Sequence, residues 1–284
     1  MRVLGWFSAL WRYTKIVGET TSGKIGIGLT AGFFFVAIFA PWISPYAPTA
    51  TSGLPYLKPS LAHILGTDDV GEDLFSQLIW GTRGSLLVGV TAAAISVFLG
   101  VSVGLVAGYH GGKPGEVLMR VTDVVLVLPL LPLLIVIASI VPSSVFVVIA
   151  VIGILSWAPT ARVIRSQTLS LRARPFVDAS RLSGMNDLEI MVKVLLPNML
   201  PLVVLYGAFA AVSAVVIESG LDFIGLGSIS NLSWGIMLYF ALGRDALLRG
   251  SWWWFLPPGL MIALLGTGFI LLGNGMERIV RIRS

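Results

Sequence analysis

The chain has 284 residues, of which 56% are hydrophobic and only 12% charged, with a formal net charge of +5. Soluble domains usually carry about 25% charged residues, so composition argues against a water-soluble globule, and the mean hydropathy is +0.91. There is no cysteine, which excludes disulfides and thiolate metal centres.

In chain order, Trp6, Phe7, Leu10, Trp11 and Val17 alternate with Arg2, Arg12 and Lys15. This pattern predicts a short amphipathic helix on a membrane surface, within an N-terminal segment 1–24. Gly18 to Lys24 has the spacing of a phosphate-binding loop, but Ile25 stands where that motif needs Ser or Thr, so a polar linker is the better reading. Uncharged runs then predict six spans, at about 25–44, 84–108, 120–140, 144–165, 198–219 and 253–275, since a crossing takes about 20 apolar residues. The run Val124–Ala161 is long enough for two of them, with a turn expected at Val141-Pro142-Ser143-Ser144. The fold class is therefore an all-α membrane protein with six transmembrane helices. The strand alternation of a membrane barrel is absent.

Between spans 1 and 2, Asp68, Asp69, Glu72 and Asp73 lack the spacing of a Ca²⁺ loop and read as a solvated, capped turn. His63 and His110 flank span 2, which places them at opposite faces and argues against a histidine metal site. Asp123 is expected to pair with Arg120 three residues earlier. Glu218 and Asp222 close span 5; an intramembrane acid either lines a path or holds the loop that follows. Trp252, Trp253 and Trp254 are expected to anchor span 6 at the headgroups. Of 19 basic residues, only Lys58, Arg83, Arg244 and Arg249 fall on the side opposite the termini. The positive-inside rule then places both termini in the cytoplasm. That asymmetry accounts for the net charge without nucleic acid.

The segment between spans 4 and 5 is the most informative. Pro175 suits a first helical turn, Gly184 a left-handed stop, and Asn186 with Glu189 a capping box. Pro197 is expected to mark the next break. Two short helices meeting at a glycine turn are thus predicted. They carry Leu182, Met185, Leu188 and Met191 where only polar loop is expected, which implies a protein partner. Their outline is similar to a DNA-binding helix-turn-helix, but tethering between two spans argues against that reading.

Asp178-Ala179-Ser180, Gly184, Ile190 and Leu196-Pro197-Asn198 resemble the EAA loop of ATP-binding-cassette importer permeases. The chain departs from it by Asp for Glu, Ser for the second Ala, and Val194 where many relatives have His. Two further blocks narrow the resemblance to the dipeptide/oligopeptide permeases, in the second, C-type member of the permease pair. One is His63-Ile-Leu-Gly66-Thr67-Asp68-Asp-Val-Gly71-Glu72-Asp73, with Glu72 where Arg is usual. The other joins Leu221-Asp-Phe-Ile-Gly225-Leu226-Gly227, Trp234-Gly235 and Pro257-Pro258-Gly259. The ending Asn274-Gly-Met-Glu-Arg278 departs from the family's usual terminus.

The resemblance implies a type I importer permease in a prokaryotic cell membrane, with a permease domain 25–276, a coupling loop 172–197 and a tail 277–284. It implies a homologous second permease, two ATPase subunits that bind ATP and Mg²⁺, and an external solute-binding protein. The chain itself would bind no cofactor and catalyse nothing. ATPase coupling falls on Asp178, Ala179, Ser180, Leu182, Gly184, Met185, Leu188, Ile190 and Pro197. Substrate-path or receptor-docking candidates are Glu218, Asp222, Gly225, Gly227, Asp68 and Asp73. Peptides are the expected cargo, with oligosaccharides or nickel as alternatives for the same machinery, and an ATP-independent channel as a reading from another class.

Overall fold

A computed structural model describes residues 18, 20–141, 144–228 and 231–283, with side chains to Met276. The expected amphipathic helix before Gly18 and the side chains of the tail lie outside them. Every regular element among the described residues is a helix: α1 (Thr21–Ile43), α2 (Leu74–His110), α3 (Gly112–Val127), α4 (Leu130–Ile140), α5 (Val145–Leu155), α6 (Ala158–Arg172), α7 (Pro175–Leu182), α8 (Asp187–Phe223), α9 (Trp234–Gly243) and α10 (Trp252–Arg283).

Five units are long and apolar enough to cross a bilayer: α1, α2, α5 with α6, α8 and α10. The sixth is broken. α3 and α4 meet at Leu128-Pro129 with an 80° bend. Pro129 lacks the N–H that would continue the ladder, and it holds Leu128 extended. The run Val124–Ala161 thus supplies a bent span and the start of the next; α4 ends at Ile140 and α5 starts at Val145, and Pro142 and Ser143 of the expected turn lie outside the described residues.

Three boundaries differ from expectation. Helix α2 starts at Leu74, ten residues before the uncharged run, because Asp73 caps it by accepting from Ser76 N–H at 2.8 Å. Pro197 does not break α8. The turn Ile190–Leu195 widens to a π-helix, which absorbs the missing donor, and the helix continues through Pro201 to Phe223. The stretch left between the expected spans 198–219 and 253–275 contains α9, ten apolar residues whose length of about 15 Å cannot cross a layer of about 30 Å.

Small residues set the close helix contacts. Gly100, Gly104 and Gly108 lie one turn apart on α2, and a Cβ at each would collide with Thr160, Ala161 and Ile164, or Arg165 and Thr168 on α6. This is the small-xxx-small packing of membrane helices. Gly26 of α1 likewise rests on the backbone of Leu271 and Leu272 in α10, so the first and last spans are neighbours. The main core gathers Phe33, Leu78, Trp234, Trp253, Trp254, Leu265 and Phe269. Trp253 and Trp254 are therefore core residues, and of the tryptophan trio only Trp252 is exposed.

Candidate functional site

The bundle has a basic end, marked by Lys113, Arg172, Arg181 and Lys193, and an opposite end formed by 44–73, 224–228 and 231–251. At the basic end, α7 opens on Pro175 and stops at Gly184, whose φ is +81°. Gly184 N–H donates to Arg181 O at 3.0 Å, and Met185 N–H donates to Ser180 O at 3.3 Å. Together they form a Schellman stop, which needs a left-handed residue at the glycine position. Helix α8 starts one residue past Asn186: the Asn186 side chain accepts from Glu189 N–H at 2.8 Å, while the Glu189 carboxylate accepts from Asn186 N–H at 3.3 Å. Glu189 also pairs with Lys193.

The inner face of this helix pair is anchored. Val177, Ile190, Met191 and Leu195 are buried against Val101, Leu105 and Ile164, with Met185 partly buried beside them. Its outer face is open at Leu182, which is 90% exposed, with Asp178 and Ala179 exposed and Ser180 half-buried; Leu188, 66% exposed, instead lines an open apolar groove of about 560 Å³ with Val101, Leu105 and Met191. Arg181 pairs with Asp178 at 3.2 Å. Of the residues singled out in sequence, Ile190 is thus internal cement, Pro197 is half-buried within α8, and Leu182 and Leu188 form free apolar surface.

The residue that sequence reasoning missed is Tyr109. Its hydroxyl donates to Asp187 Oδ1 at 2.6 Å, its carbonyl accepts from Arg172 at 2.6 Å, and its ring lies under the Arg181 guanidinium at 5.5 Å. The end of α2 is thereby tied to α6, α7 and α8. A lone aromatic before the pair Gly111-Gly112 was the only local sign of it.

At the opposite end, segment 44–73 is a folded cap. Asp68 and Asp73 are buried, which corrects the expectation of a solvated turn. Asp68 Oδ1 accepts from Val70 and Glu72 N–H, at 3.0 and 2.8 Å. Gln77 donates to Asp68 and Glu72, each at 2.8 Å. Burial, with Asp68 beside it, raises the Glu72 carboxyl above its ordinary value. Asp73 also meets His63 Nδ1 at 2.9 Å and accepts from the Ser76 hydroxyl at 2.7 Å. Asp69 pairs with Arg244 at 3.1 Å, and Arg249 sits over the Tyr56 ring at 4.5 Å, which docks the cap onto the connection between α9 and α10. Asp73→Ala strands buried partners, each costing about 1–3 kcal/mol. The protein is expected to lose about 3 kcal/mol, read as a lower melting midpoint in detergent, whereas exposed Asp178→Ala leaves the midpoint unchanged.

Glu218 and Asp222 are both buried. They border a space of about 10 Å³, with Val88, Val148, Ser228 and Asn231, which is room for one water. Asp222 accepts from the Ser233 hydroxyl, and Ser233 caps α9 by accepting from Ile236 N–H at 3.1 Å. Gly227 and Gly235 approach Asp222 too closely for a side chain. Gly225, at φ +80°, ends α8 with a second Schellman stop. These residues hold the fold-back of α9.

A separate open cleft of about 320 Å³ lies between the α3–α4 bend, the α5–α6 break and α8. Leu126, Ser156, Thr160, Tyr206, Phe209 and Ser213 are among its walls. They are apolar surfaces with scattered hydroxyls and no formal charge. Asp123 stands just beyond it and pairs with Arg162 of α6 at 2.6 Å. The expected partner Arg120 is replaced because α3 and α6 run side by side, so a residue across the groove competes with one along the helix.

Residues 100–282 match the family model described as binding-protein-dependent transport system inner membrane component. The chain is 32% identical to the dipeptide transport system permease protein DppC of Bacillus subtilis, over 94% of this chain and 82% of that protein. It is 35% identical to the di/tripeptide transport system permease protein DppC of Pseudomonas aeruginosa, over 86% and 82%. It is 32% identical to the oligopeptide transport system permease protein OppC of Bacillus subtilis, over 95% and 88%.

Proposed function

The chain belongs to the family of binding-protein-dependent transport system inner membrane components, and on that premise we propose that it forms half of the path by which an ATP-driven importer admits di- or oligopeptides. It is a multi-pass inner-membrane protein with the all-helical fold of a type I importer permease. A homologous second permease completes the path, and two ATPase subunits, which bind ATP and Mg²⁺, sit on the cytoplasmic side. An external binding protein delivers the peptide. Both termini are cytoplasmic, so the basic end faces the ATPases and the cap 44–73 faces the receptor.

The observation that carries this reading is the α7–α8 pair. Its inner face is locked to the spans, while its outer face offers Leu182, and the groove beside it Leu188, as exposed apolar surface. An apolar surface of this kind is stable only against a partner. Asp178, Ala179, Ser180, Leu182, Gly184, Met185 and Leu188 form or shape that contact. Force applied there reaches the cleft through α6 and α8, which are continuous with the pair.

The test is transport by the complex, co-expressed with its neighbouring gene products and reconstituted in vesicles. Labelled dipeptide is expected to accumulate only with both ATP and the binding protein. Accumulation without ATP would overturn the reading in favour of a channel.

A further inference from the structure

We propose that Asp123 and Arg162 form a charged gate closing the cytoplasmic end of this subunit's half of the path. The inference rests on the importer reading above.

Depth is the first argument. Asp123 lies eleven residues into α3 from Gly112, and Arg162 lies ten residues before the end of α6 at Arg172. The two flank the uncharged run Val124–Ala161 on either side, so each stands where its helix enters the apolar layer from the basic end. Yet the two side chains are 58% and 60% exposed. Charged groups at that edge of the apolar layer face water or a protein neighbour rather than lipid.

Position is the second argument. Within about one turn of the pair, Val125 and Leu126 of α3 and Ala158, Pro159 and Thr160 of α6 already line the cleft. The ion pair therefore spans the groove at the cleft's lower lip. The third argument is mechanical. Each helix is broken just on the far side of the pair, at Leu128-Pro129 and at Ser156-Trp157. The cytoplasmic half of α3 can swing about its 80° bend, while α6 stays clasped to α2 through Gly100, Gly104 and Gly108 and moves with it. α6 leads directly into α7 through Ala173 and Arg174, so displacement of the coupling helix draws Arg162 away from Asp123. An ion pair with one side in water is weak enough to open and close in each cycle.

The chain lacks cysteine, so D123C/R162C gives a unique reactive pair within it. In the reconstituted complex, a short bis-methanethiosulfonate bridge between the two is expected to lower receptor-dependent dipeptide uptake at least tenfold. Dithiothreitol is expected to restore it, with the ATPases retained throughout. Independently, D123R and R162D each lower uptake per ATP hydrolysed at least fivefold, and the swap D123R/R162D recovers at least half of the wild-type ratio. Bridged protein that transports at the wild-type rate, or a swap no better than the worse single reversal, would sink the gate. If the cysteine variant does not insert, the swap decides alone. Wild-type vesicles run alongside separate the two failures: uptake independent of ATP overturns the importer reading, whereas normal wild-type coupling with an indifferent swap overturns only the gate.

Discussion

Gly184→Val is expected to leave the protein inserted and folded while reducing ATP-dependent peptide uptake at least about tenfold. Gly184 sits at φ +81°, and a Cβ there would meet nothing within 4 Å. The penalty is therefore backbone strain alone. For an ordinary residue the left-handed region costs about 1–2 kcal/mol, and a β-branched one suffers more. Since 1.4 kcal/mol is a factor of about ten in population, Val largely empties the turn that aims α7 against α8. The spans lose no contact, because Gly184 touches none of them. Asn, which tolerates this conformation, should retain most of the uptake, and Ala should fall between. The measurement is uptake and ATP hydrolysis on the same vesicles. Wild-type transport by Gly184→Val would remove the helix pair from the mechanism.

The second large effect is at Trp234, the first residue of α9. It is fully buried, donates its indole N–H to Leu78 O at 3.1 Å, and meets Phe33 edge-on at 5.6 Å. Its backbone N–H donates to Ser85 Oγ at 3.3 Å. Trp234→Ala opens a cavity between α1, α2 and α9, with an expected cost of about 3–5 kcal/mol. Trp234→Phe keeps most of the volume and loses chiefly the hydrogen bond, about 1–3 kcal/mol. Melting of the purified protein in detergent should rank wild type, Phe, then Ala. Equal midpoints would show that α9 is not packed as described.

The spans were legible because lipid imposes a simple rule, a long uncharged stretch. The rule fails where polarity is buried in protein rather than facing water. Gln77 and Arg83 hid the first turns of α2, and α9 hid in a supposed loop because ten residues are too few to register as a crossing. The bend at Leu128-Pro129 left only a proline as its trace, and Pro197 left the same trace without a break. Capping residues were readable, since Asn186 and Glu189 interact with their own neighbours. Pairings across the bundle were not: Asp123 with Arg162, Asp222 with Ser233, and Tyr109 with Asp187 join residues far apart in the chain, and one sequence holds no record of them. At the candidate site, the residues forming the turn were visible from local chemistry, and the residues fastening it to the spans were not.

The seating of Gly26 against Leu271 and Leu272 bears on how the molecule is made. Helix α1 is made roughly 250 residues before this neighbour exists, with only α2 beside it in the meantime. At about 5–20 residues per second the wait is on the order of ten seconds or more. During that interval the groove of α1 around Gly23, Gly26, Thr30 and Phe33 faces lipid or a chaperone. A nascent chain that stalls before α10 therefore leaves α1 half-partnered, packed on α2 but with its small-residue face bare.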